Sequence, residues 1–433
     1  MDALSRGFRD GLRQELPRWR DEGLVSPDAA AAIHARYRLA EPESGLPGFL
    51  AVYVLGALLA GAGIVSLVAW HWEGMTPAVK LAVIGSAMIA LHAGGVALHA
   101  RAPRLGHAIA FLGTLVFGAN VGLVAQIFHV SGVWWGGFAA FAAGALAAGL
   151  LYESVPHLLL ASVLALSAAG PGIGHDHPAP AVAGAWAVAA IFLVLAWRAR
   201  SRTLVVLTGI GLAATLVGAL DGAHADRGGA LLVACLGAAF AAAPLALAPL
   251  GARSDTAARL GGAARVLGRI AFAAAAFTLS FTDAARWMRF GGHVPAILVV
   301  AAAPALAIAA AALLIGLRRD DVEPLARGEA MLLAATTVAF AAGLSLESGR
   351  AAALVANLAL AFLAAGRIVR GMATRRRAPF WEGMGLAGLL LLARFLEEEL
   401  PLWVKGTAFL AAGVAVIVAG AAFERRRARA EVA

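Results

Sequence analysis

The stretch APAVAGAWAVAAIFLVLAW, residues 179–197, is an apolar run that ends directly in the basic loop RARSR, residues 198–202. As an α-helix the run is about 28 Å long at 1.5 Å per residue, close to the roughly 30 Å thickness of the hydrocarbon core of a bilayer. Short loops rich in Lys and Arg remain on the cytoplasmic side of a membrane. This unit therefore predicts both a transmembrane helix and its orientation.

The same unit recurs along the chain from Leu46 to Phe423. We predict about fourteen transmembrane helices, at residues 47–70, 78–99, 105–127, 133–151, 156–171, 179–197, 203–220, 228–250, 263–283, 294–316, 327–346, 350–369, 379–396 and 402–423. The fifth span is short and is also compatible with a re-entrant segment. The predicted organisation is a segment at 1–45, four spans at 46–155, the remaining spans at 156–424, and a basic tail at 425–433.

Arginine residues are concentrated in every second loop between the predicted spans. The basic clusters are Arg6/Arg9/Arg13/Arg18/Arg20/Arg36/Arg38, Arg198/Arg200/Arg202, Arg318/Arg319, Arg370/Arg375/Arg376/Arg377 and Arg425/Arg426/Arg427/Arg429. In the fourteen-span arrangement every one of these clusters lies on one side. That side is the cytoplasmic one by the positive-inside rule, so both termini are predicted to be cytoplasmic.

The composition excludes a soluble globular protein. Of 433 residues, 61% are apolar and only 14% are charged, whereas soluble domains are about 25% charged. Strands of a β-barrel would alternate apolar and polar residues, and the apolar runs show no such alternation. The predicted class is therefore an all-α polytopic membrane protein. Its net charge of +9 follows the topology, which predicts anionic lipid headgroups as partners at the cytoplasmic face and no nucleic acid.

The segment at 1–45 predicts a cytoplasmic amphipathic helical hairpin. The first helix has an apolar stripe of Leu4, Phe8, Leu12, Leu16 and Trp19. The second begins at Ser26-Pro27-Asp28, where Ser caps, Pro suits the first helical position and Asp favours the positive helix end. The hairpin either lies against the membrane or the cytoplasmic face of the protein, or recruits a cytoplasmic protein partner.

Nucleotide-binding and hydrolase motifs are missing from the sequence, and we assign no catalytic residue. There is no Walker loop, no dinucleotide-binding glycine fingerprint, no Gly-x-Ser-x-Gly and no His-Glu-x-x-His. The single cysteine, Cys235, excludes an intrachain disulfide and a Cys-based metal cluster. No cofactor is predicted on these grounds, and an ATP-driven pump or a conventional hydrolase is disfavoured.

Four polar residues within or at the end of predicted spans are candidate substrate-binding residues: His92, Asn120, Gln126 and His129. Polar groups at membrane depth usually mark transport pathways. The alternatives are packing hydrogen bonds for His92 and Asn120, and a solvated helix end for Gln126 and His129. Carboxylates such as Glu329 and Glu382 lie within about two turns of span ends, where water is accessible, so no ion-coupling carboxylate is expected at the midplane.

Two outer loops resemble metal ligand sets. Their residues are His175, Asp176 and His177 in the first loop, and Asp221, His224 and Asp226 in the second. Imidazole and carboxylate groups bind zinc or a similar divalent ion if they converge. The alternative is the ordinary polar composition of outer loops.

Two motifs carry a family resemblance. ELPRW at 15–19 followed by GLVSPD at 23–28 and ARY at 35–37, together with GANVGLVAQIFHVSG at 118–132, resemble the bacterial membrane-protein family called domain of unknown function 2157. The resemblance covers about residues 12–155. It implies a multi-pass protein of the bacterial inner membrane and supplies no activity.

Three functional classes remain open from the sequence. The first is a permease or flippase for a small or lipid-linked substrate, because many-helix bundles without soluble domains are most often conduits. The second is a membrane scaffold or assembly protein that recruits a partner through the hairpin. The third is a membrane-embedded enzyme that acts on a lipid-linked substrate through the outer His/Asp loops. Without a recognisable catalytic motif, the balance is against an enzyme.

Overall fold

The computed structural model describes residues 12, 15, 16, 19, 20, 22–36, 74–129, 135–169, 178–251, 255–290, 294–319, 324–345, 348–374 and 376–397. The predicted first and fourteenth spans and the basic tail at 425–433 lie outside these residues. The chain divides into two compact units, residues 1–80 and 81–433.

In the first unit, the described residues 12, 15, 16, 19 and 20 are helical and a second helix follows at 27–36, while the hairpin predicted for the whole of 1–45 stays a prediction. Leu12 and Leu16 are buried against Trp19 and against the second helix, α1 (Pro27–Arg36). Gly23 ends the first helix with a φ of 74°, a left-handed conformation that glycine adopts without a Cβ clash. The Ser26 hydroxyl accepts a hydrogen bond from the backbone N–H of Ala29 at 3.2 Å, as the capping signal predicts.

The rest of the described chain is also helical and contains no strand. The helices are α2 (Pro77–His99), α3 (Pro103–Ile127), α4 (Trp135–Leu151), α5 (Val155–Ser167), α6 (Pro178–Arg198), α7 (Arg202–Gly222), α8 (Gly229–Gly251), α9 (Asp255–Ser280), α10 (Thr282–Trp287), α11 (Ala296–Leu317), α12 (Pro324–Ser345), α13 (Gly349–Thr374) and α14 (Arg377–Glu397). A 3₁₀ turn, Asp226–Gly228, joins α7 to α8.

The all-α membrane class is confirmed for the described residues. Nine of their helices are long and apolar enough to cross a membrane. Helices lie at the second to thirteenth predicted ranges, and α4 and α5 are shorter apolar helices. The total of fourteen spans and the cytoplasmic location of both termini stay predictions.

The core of the bundle surrounds α8, in which 67% of the residues of the most apolar stretch are buried. Small residues let its neighbours approach, as is common for helices packed in lipid. Gly268 of α9 packs directly on the backbone of α8: a Cβ on Gly268 would meet the backbone nitrogen of Ala241 and would lie 2.6 Å from the carbonyl oxygen of Gly237. This contact fixes the position of α9, which carries one of the charged residues described below.

The outward-facing residues of the described helices are large and apolar. Val338, Phe362 and Leu354 are all exposed, as are many other aliphatic side chains of α2 to α14. Soluble monomers rarely expose apolar patches of this extent. A lipid environment removes the cost, because lipid tails are as apolar as these side chains.

Candidate functional site

Four helices of the bundle each contribute one charged residue to a single cluster, which we call the charge cluster: Arg269 of α9, Glu329 of α12, Arg367 of α13 and Glu382 of α14. Arg269 donates from Nε to Oε1 of Glu382 at 2.8 Å and from Nη1 to Oε1 of Glu329 at 3.3 Å. Arg367 donates from Nη2 to Oε2 of Glu382 at 2.6 Å. Glu382 therefore accepts hydrogen bonds from both arginines.

The charge cluster is largely buried and formally neutral. The side chains of Arg269 and Arg367 are 7% and 9% exposed, that of Glu329 is 11% exposed, and that of Glu382 is 32% exposed. Removing single charges from water costs several kcal/mol each, and pairing offsets that cost. Two guanidinium groups against two carboxylates satisfy this requirement.

This pairing differs from what the sequence predicts for these residues. Their short distance to the predicted span ends predicts that the side chains of Glu329 and Glu382 reach headgroups or water. They do lie about 8 Å from the starts of α12 and α14 at 1.5 Å per residue. Arg269 lies much deeper in its helix, because α9 begins at Asp255 rather than at 263. Inside the bundle the carboxylates meet guanidinium groups in place of solvent.

An apolar cavity of about 310 Å³ adjoins the charge cluster. Its lining residues come from α9, α13 and α14, namely Arg269, Ile270, Ala273, Ala274, Phe277, Leu360, Glu382, Leu386 and Leu389. Arg269 and Glu382 are the only charged residues among them, and both stand at one end of the lined stretches. The cavity reaches the apolar outer surface of the bundle, since Ile270 is 61% exposed and Leu389 49% exposed.

A second set of polar contacts joins α9, α13 and α14 further along the helices, beyond the residues that line the cavity. Arg394 of α14 donates from Nη2 to the carbonyl oxygen of Ser280, the last residue of α9, at 2.6 Å. Asn357 of α13 donates to the same oxygen at 3.2 Å. Arg269 to Ser280 and Glu382 to Arg394 each cover about 17 Å of helix. The helices α9 and α14 are thus parallel, with the cavity between two polar attachments.

The structure does not hydrogen-bond His92 to Asn120. The Nδ1 atom of His92 lies 3.1 Å from the hydroxyl oxygen of Tyr152, which follows α4. Asn120 contacts the sulfur atom of Met88 at 3.7 Å across the α2–α3 interface. Both residues are therefore engaged in contacts between helices, which is the packing alternative considered for them.

Gln126 and His129 lie at the exposed end of α3. His129 follows the last helical turn with a φ of 48°, and its backbone N–H reaches the carbonyl oxygen of Gln126 at 3.4 Å. The two side chains occupy a helix exit, remote in sequence from the charge cluster. No lining residue of the described cavity comes from α3.

The second outer loop lies at the end of α7. Asp221 is in its last turn, His224 follows with a φ of 54°, and Asp226 begins the 3₁₀ turn. Within the described ranges no three His, Cys, Asp or Glu residues form a group that could hold a metal ion. The residues of the first loop, His175, Asp176 and His177, lie outside the described residues, so a site that joins both loops stays untested.

A polar network near His92 was not anticipated from the sequence. His157 of α5 is fully buried, and its Nδ1 atom lies 2.7 Å from the hydroxyl oxygen of Ser154. Its ring contacts those of Phe111 and Tyr152, with centroid distances of 5.1 and 5.7 Å. Its Nε2 atom has no hydrogen-bond partner of normal geometry within the described part of the chain. The sequence feature that could have indicated this network is a histidine directly after Ser-Val-Pro at the start of a helix.

Apolar helices of membrane-crossing length, with their few interior charges paired to one another, define a polytopic helical membrane protein. Within that class, residues 17–158 match the model of the family described as predicted membrane protein, DUF2157. The resemblance inferred from the sequence over residues 12–155 is thereby confirmed. No curated protein and no solved structure matches the chain.

The family match begins at residue 17, within the hairpin segment, and extends to the start of α5. The four candidate substrate-binding residues, together with Tyr152 and His157, lie within it. The charge cluster and the cavity lie beyond it, in the C-terminal part of the chain.

Proposed function

We propose that the protein is a permease or flippase for a small or lipid-linked amphiphilic substrate, which enters the cavity between α9 and α14 from the bilayer. One observation carries the proposal: the cavity combines an apolar wall with a buried charge cluster at one end. An amphiphile has the same two parts. Its chain can lie along Ala273, Phe277 and Leu386 while its polar head meets Arg269 and Glu382.

The size and opening of the cavity support a lipid-like substrate. A volume of about 310 Å³ is at the lower end of the roughly 300–1,000 Å³ typical of small-molecule sites. The residues at its opening are apolar, which favours a substrate that arrives from lipid over one that arrives from water. Charged residues inside a membrane bundle generally mark substrate or ion pathways.

We further propose the topology of fourteen spans with both termini cytoplasmic, in the inner membrane of a bacterium. The alternation of arginine supports this arrangement. It makes 263–283 and 379–396 odd-numbered spans of the same direction, in agreement with the parallel course of α9 and α14. In this topology the charge cluster lies nearer to the cytoplasmic face, and the hairpin at 1–45 is cytoplasmic.

A transport assay tests the proposal directly. The full-length protein is reconstituted into liposomes that carry a lipid with a fluorescent headgroup, and external dithionite then bleaches the label exposed in the outer leaflet. Transport makes inner-leaflet label accessible. Ala273→Phe fills the cavity and should stop this, whereas Ala303→Phe on the exposed face of α11 should not. Equal rates in both variants would rule out the cavity as the pathway.

Two other outcomes favour the alternative classes. If deletion of residues 1–40 abolishes the cellular function while Ala273→Phe and His92→Ala leave it intact, the scaffold interpretation is favoured. Loss of function on changing His175, His177 and His224 together would favour an enzyme or a metal site at the outer loops. If the protein is a permease or flippase, mass spectrometry of the lipids that co-purify with it would identify the substrate class.

A further inference from the structure

We propose that the charge cluster binds the anionic head of an amphiphile, and that Glu382 takes up one proton for each negative charge bound. This inference rests on the proposed function, because it assumes that the cavity is the substrate site. It adds the charge of the substrate and a coupled ion, which the sequence did not predict. The carboxylate that takes up the proton is Glu382, for which the predicted span boundaries indicate a position near water.

Glu382 is the hub of the charge cluster and its most accessible member. Its two oxygens accept hydrogen bonds from Arg269 Nε at 2.8 Å, Arg367 Nη2 at 2.6 Å and Arg269 Nη2 at 3.5 Å. Its side chain is 32% exposed and lines the cavity, whereas Glu329 is 11% exposed and does not line it. Of the two carboxylates, Glu382 is therefore the one that a ligand in the cavity contacts.

Charge balance sets the sign of the substrate. The charged groups that face Glu382 among the described residues are Arg269 from α9 and Arg367 from α13, and Glu329 of α12 reaches it through Arg269. An added anion would leave the buried charge cluster with an excess negative charge, which is costly at this depth. A proton on Glu382 restores neutrality, and it comes from water without breaking any bond of the protein.

The charge of a cationic head cannot be balanced by proton uptake in this way. Such a head could use a free lone pair of Glu382, but the charge cluster would then carry an excess positive charge that none of its groups can remove, because an arginine cannot release its proton in a protein. A buried charge without a partner is strongly destabilising. The charge cluster thus discriminates against cations.

The arginines have the donor geometry for an anionic head. A guanidinium group presents five N–H donors in a planar fork that matches carboxylate, phosphate and sulfonate oxygens. The Nε atom of Arg367 is buried and has no hydrogen-bond partner among the described residues. When Glu382 is protonated, the donors of Arg269 and Arg367 that it held become available to the head of the ligand.

The experiment compares three amphiphiles that share a twelve-carbon chain. Dodecanesulfonate carries one negative charge that does not titrate, dodecanol is neutral, and dodecyltrimethylammonium is cationic. Binding to the full-length protein in phosphatidylcholine nanodiscs is measured below micellar concentrations, with empty nanodiscs subtracted. Proton uptake on addition of dodecanesulfonate is followed with a pH indicator in weak buffer.

We expect dodecanesulfonate to bind roughly tenfold more tightly than dodecyltrimethylammonium. Binding of dodecanesulfonate should take up one proton per molecule. Its affinity should fall about tenfold for each unit by which the pH is raised, which is the slope for one linked proton. These measurements need only the wild-type protein, so they do not depend on the folding of a variant.

Glu382→Gln imitates the protonated carboxyl group. It should bind dodecanesulfonate without proton uptake and with an affinity independent of pH. The conservative replacement Glu382→Asp keeps a titratable group and should retain the proton uptake. Loss of proton uptake in Glu382→Gln but not in Glu382→Asp assigns the proton to this carboxylate, which a merely structural role would not predict.

Two results would overturn the inference in different ways. If all three amphiphiles bind with equal affinity and without protons, the cavity is a substrate site but the charge and proton assignment is wrong. If none binds, or if Ala273→Phe binds all three as well as the wild type does, the proposed function itself fails. An anion bound with no proton uptake in the wild type would also reject the role of Glu382.

Discussion

Arg269 and Glu382 are 113 residues apart in the chain, and their side chains meet at 2.8 Å between the parallel helices α9 and α14. The contact joins two helices that also meet at their other ends through Arg394 and Ser280. The space between the two attachments is the cavity. The same ion pair therefore holds the helices together and provides the polar end of the proposed substrate site.

Arg269→Gln should destabilise the protein by roughly 3–5 kcal/mol, because it leaves two buried carboxylates with one arginine. The free energy of unfolding can be followed by tryptophan fluorescence during denaturation in mixed micelles. Arg350→Gln, at an exposed arginine near the start of α13, is the control and should change stability by less than about 0.5 kcal/mol. Equal losses in the two variants would mean that the charge cluster does not stabilise the fold.

A double-mutant cycle isolates the pair. Arg269→Gln should lower the free energy of unfolding by less when Glu382→Gln is already present, since the ion pair between the two side chains is then absent. Additive losses would show that the two side chains act independently, contrary to the 2.8 Å contact.

Gly268→Ala should destabilise the bundle by about 1–3 kcal/mol, the range typical of overpacking. The added Cβ would lie 2.6 Å from the carbonyl oxygen of Gly237, and backbone atoms cannot move aside as a flexible side chain can. Gly262→Ala on the same helix is the control, since a Cβ there has nothing within 4 Å. It should be neutral or stabilising, because alanine favours helix by up to about 1 kcal/mol over glycine. Thermal melting of both variants in detergent checks the difference.

Tyr152→Phe should lower the free energy of unfolding by about 1 kcal/mol, because the hydrogen bond to His92 is lost. In a His92→Ala background the same change should cost less, because the partner is already missing. Chemical denaturation of the two single variants and the double variant measures this coupling. Identical costs in both backgrounds would contradict a hydrogen bond between α2 and the end of α4.

Alkaline phosphatase fusions test the topology. Fusions after Gly174 and Ala225 should be active, since both positions fall in loops proposed to face away from the cytoplasm. Fusions after Arg200 and Arg375 should be inactive, since both lie in basic loops. The opposite pattern of activity would invert the orientation and would place the charge cluster near the outer face.

The helices could be predicted from the sequence because they depend on local properties. An apolar run of sufficient length forms a helix in lipid in order to satisfy its own backbone hydrogen bonds. Boundary residues such as Ser201, whose hydroxyl accepts a hydrogen bond from the N–H of Leu204 at 3.2 Å, mark the ends. Apart from the short α10, for which no range is predicted, the described helices α2 to α14 accordingly follow the predicted ranges closely, and the largest difference is that α9 begins at Asp255.

The candidate site could be predicted only in part. Polar residues inside apolar runs are visible in a sequence, and His92 and Asn120 were singled out in this way. Their partners, Tyr152 and Met88, could not be identified, because side-chain contacts between helices depend on how the helices rotate against each other. His157 became notable only when its burial was known.

The sequence by itself determined that the chain is a helical membrane protein, where its helices lie and which residues are charged, because each of these follows from a short stretch of residues. Only the tertiary structure decided that Arg269, Glu329, Arg367 and Glu382 neutralise one another beside an apolar cavity. Their distance from the helix ends was compatible with solvation. The packing of α9 against α8, α13 and α14 brings them together, and burial then makes pairing the favourable state.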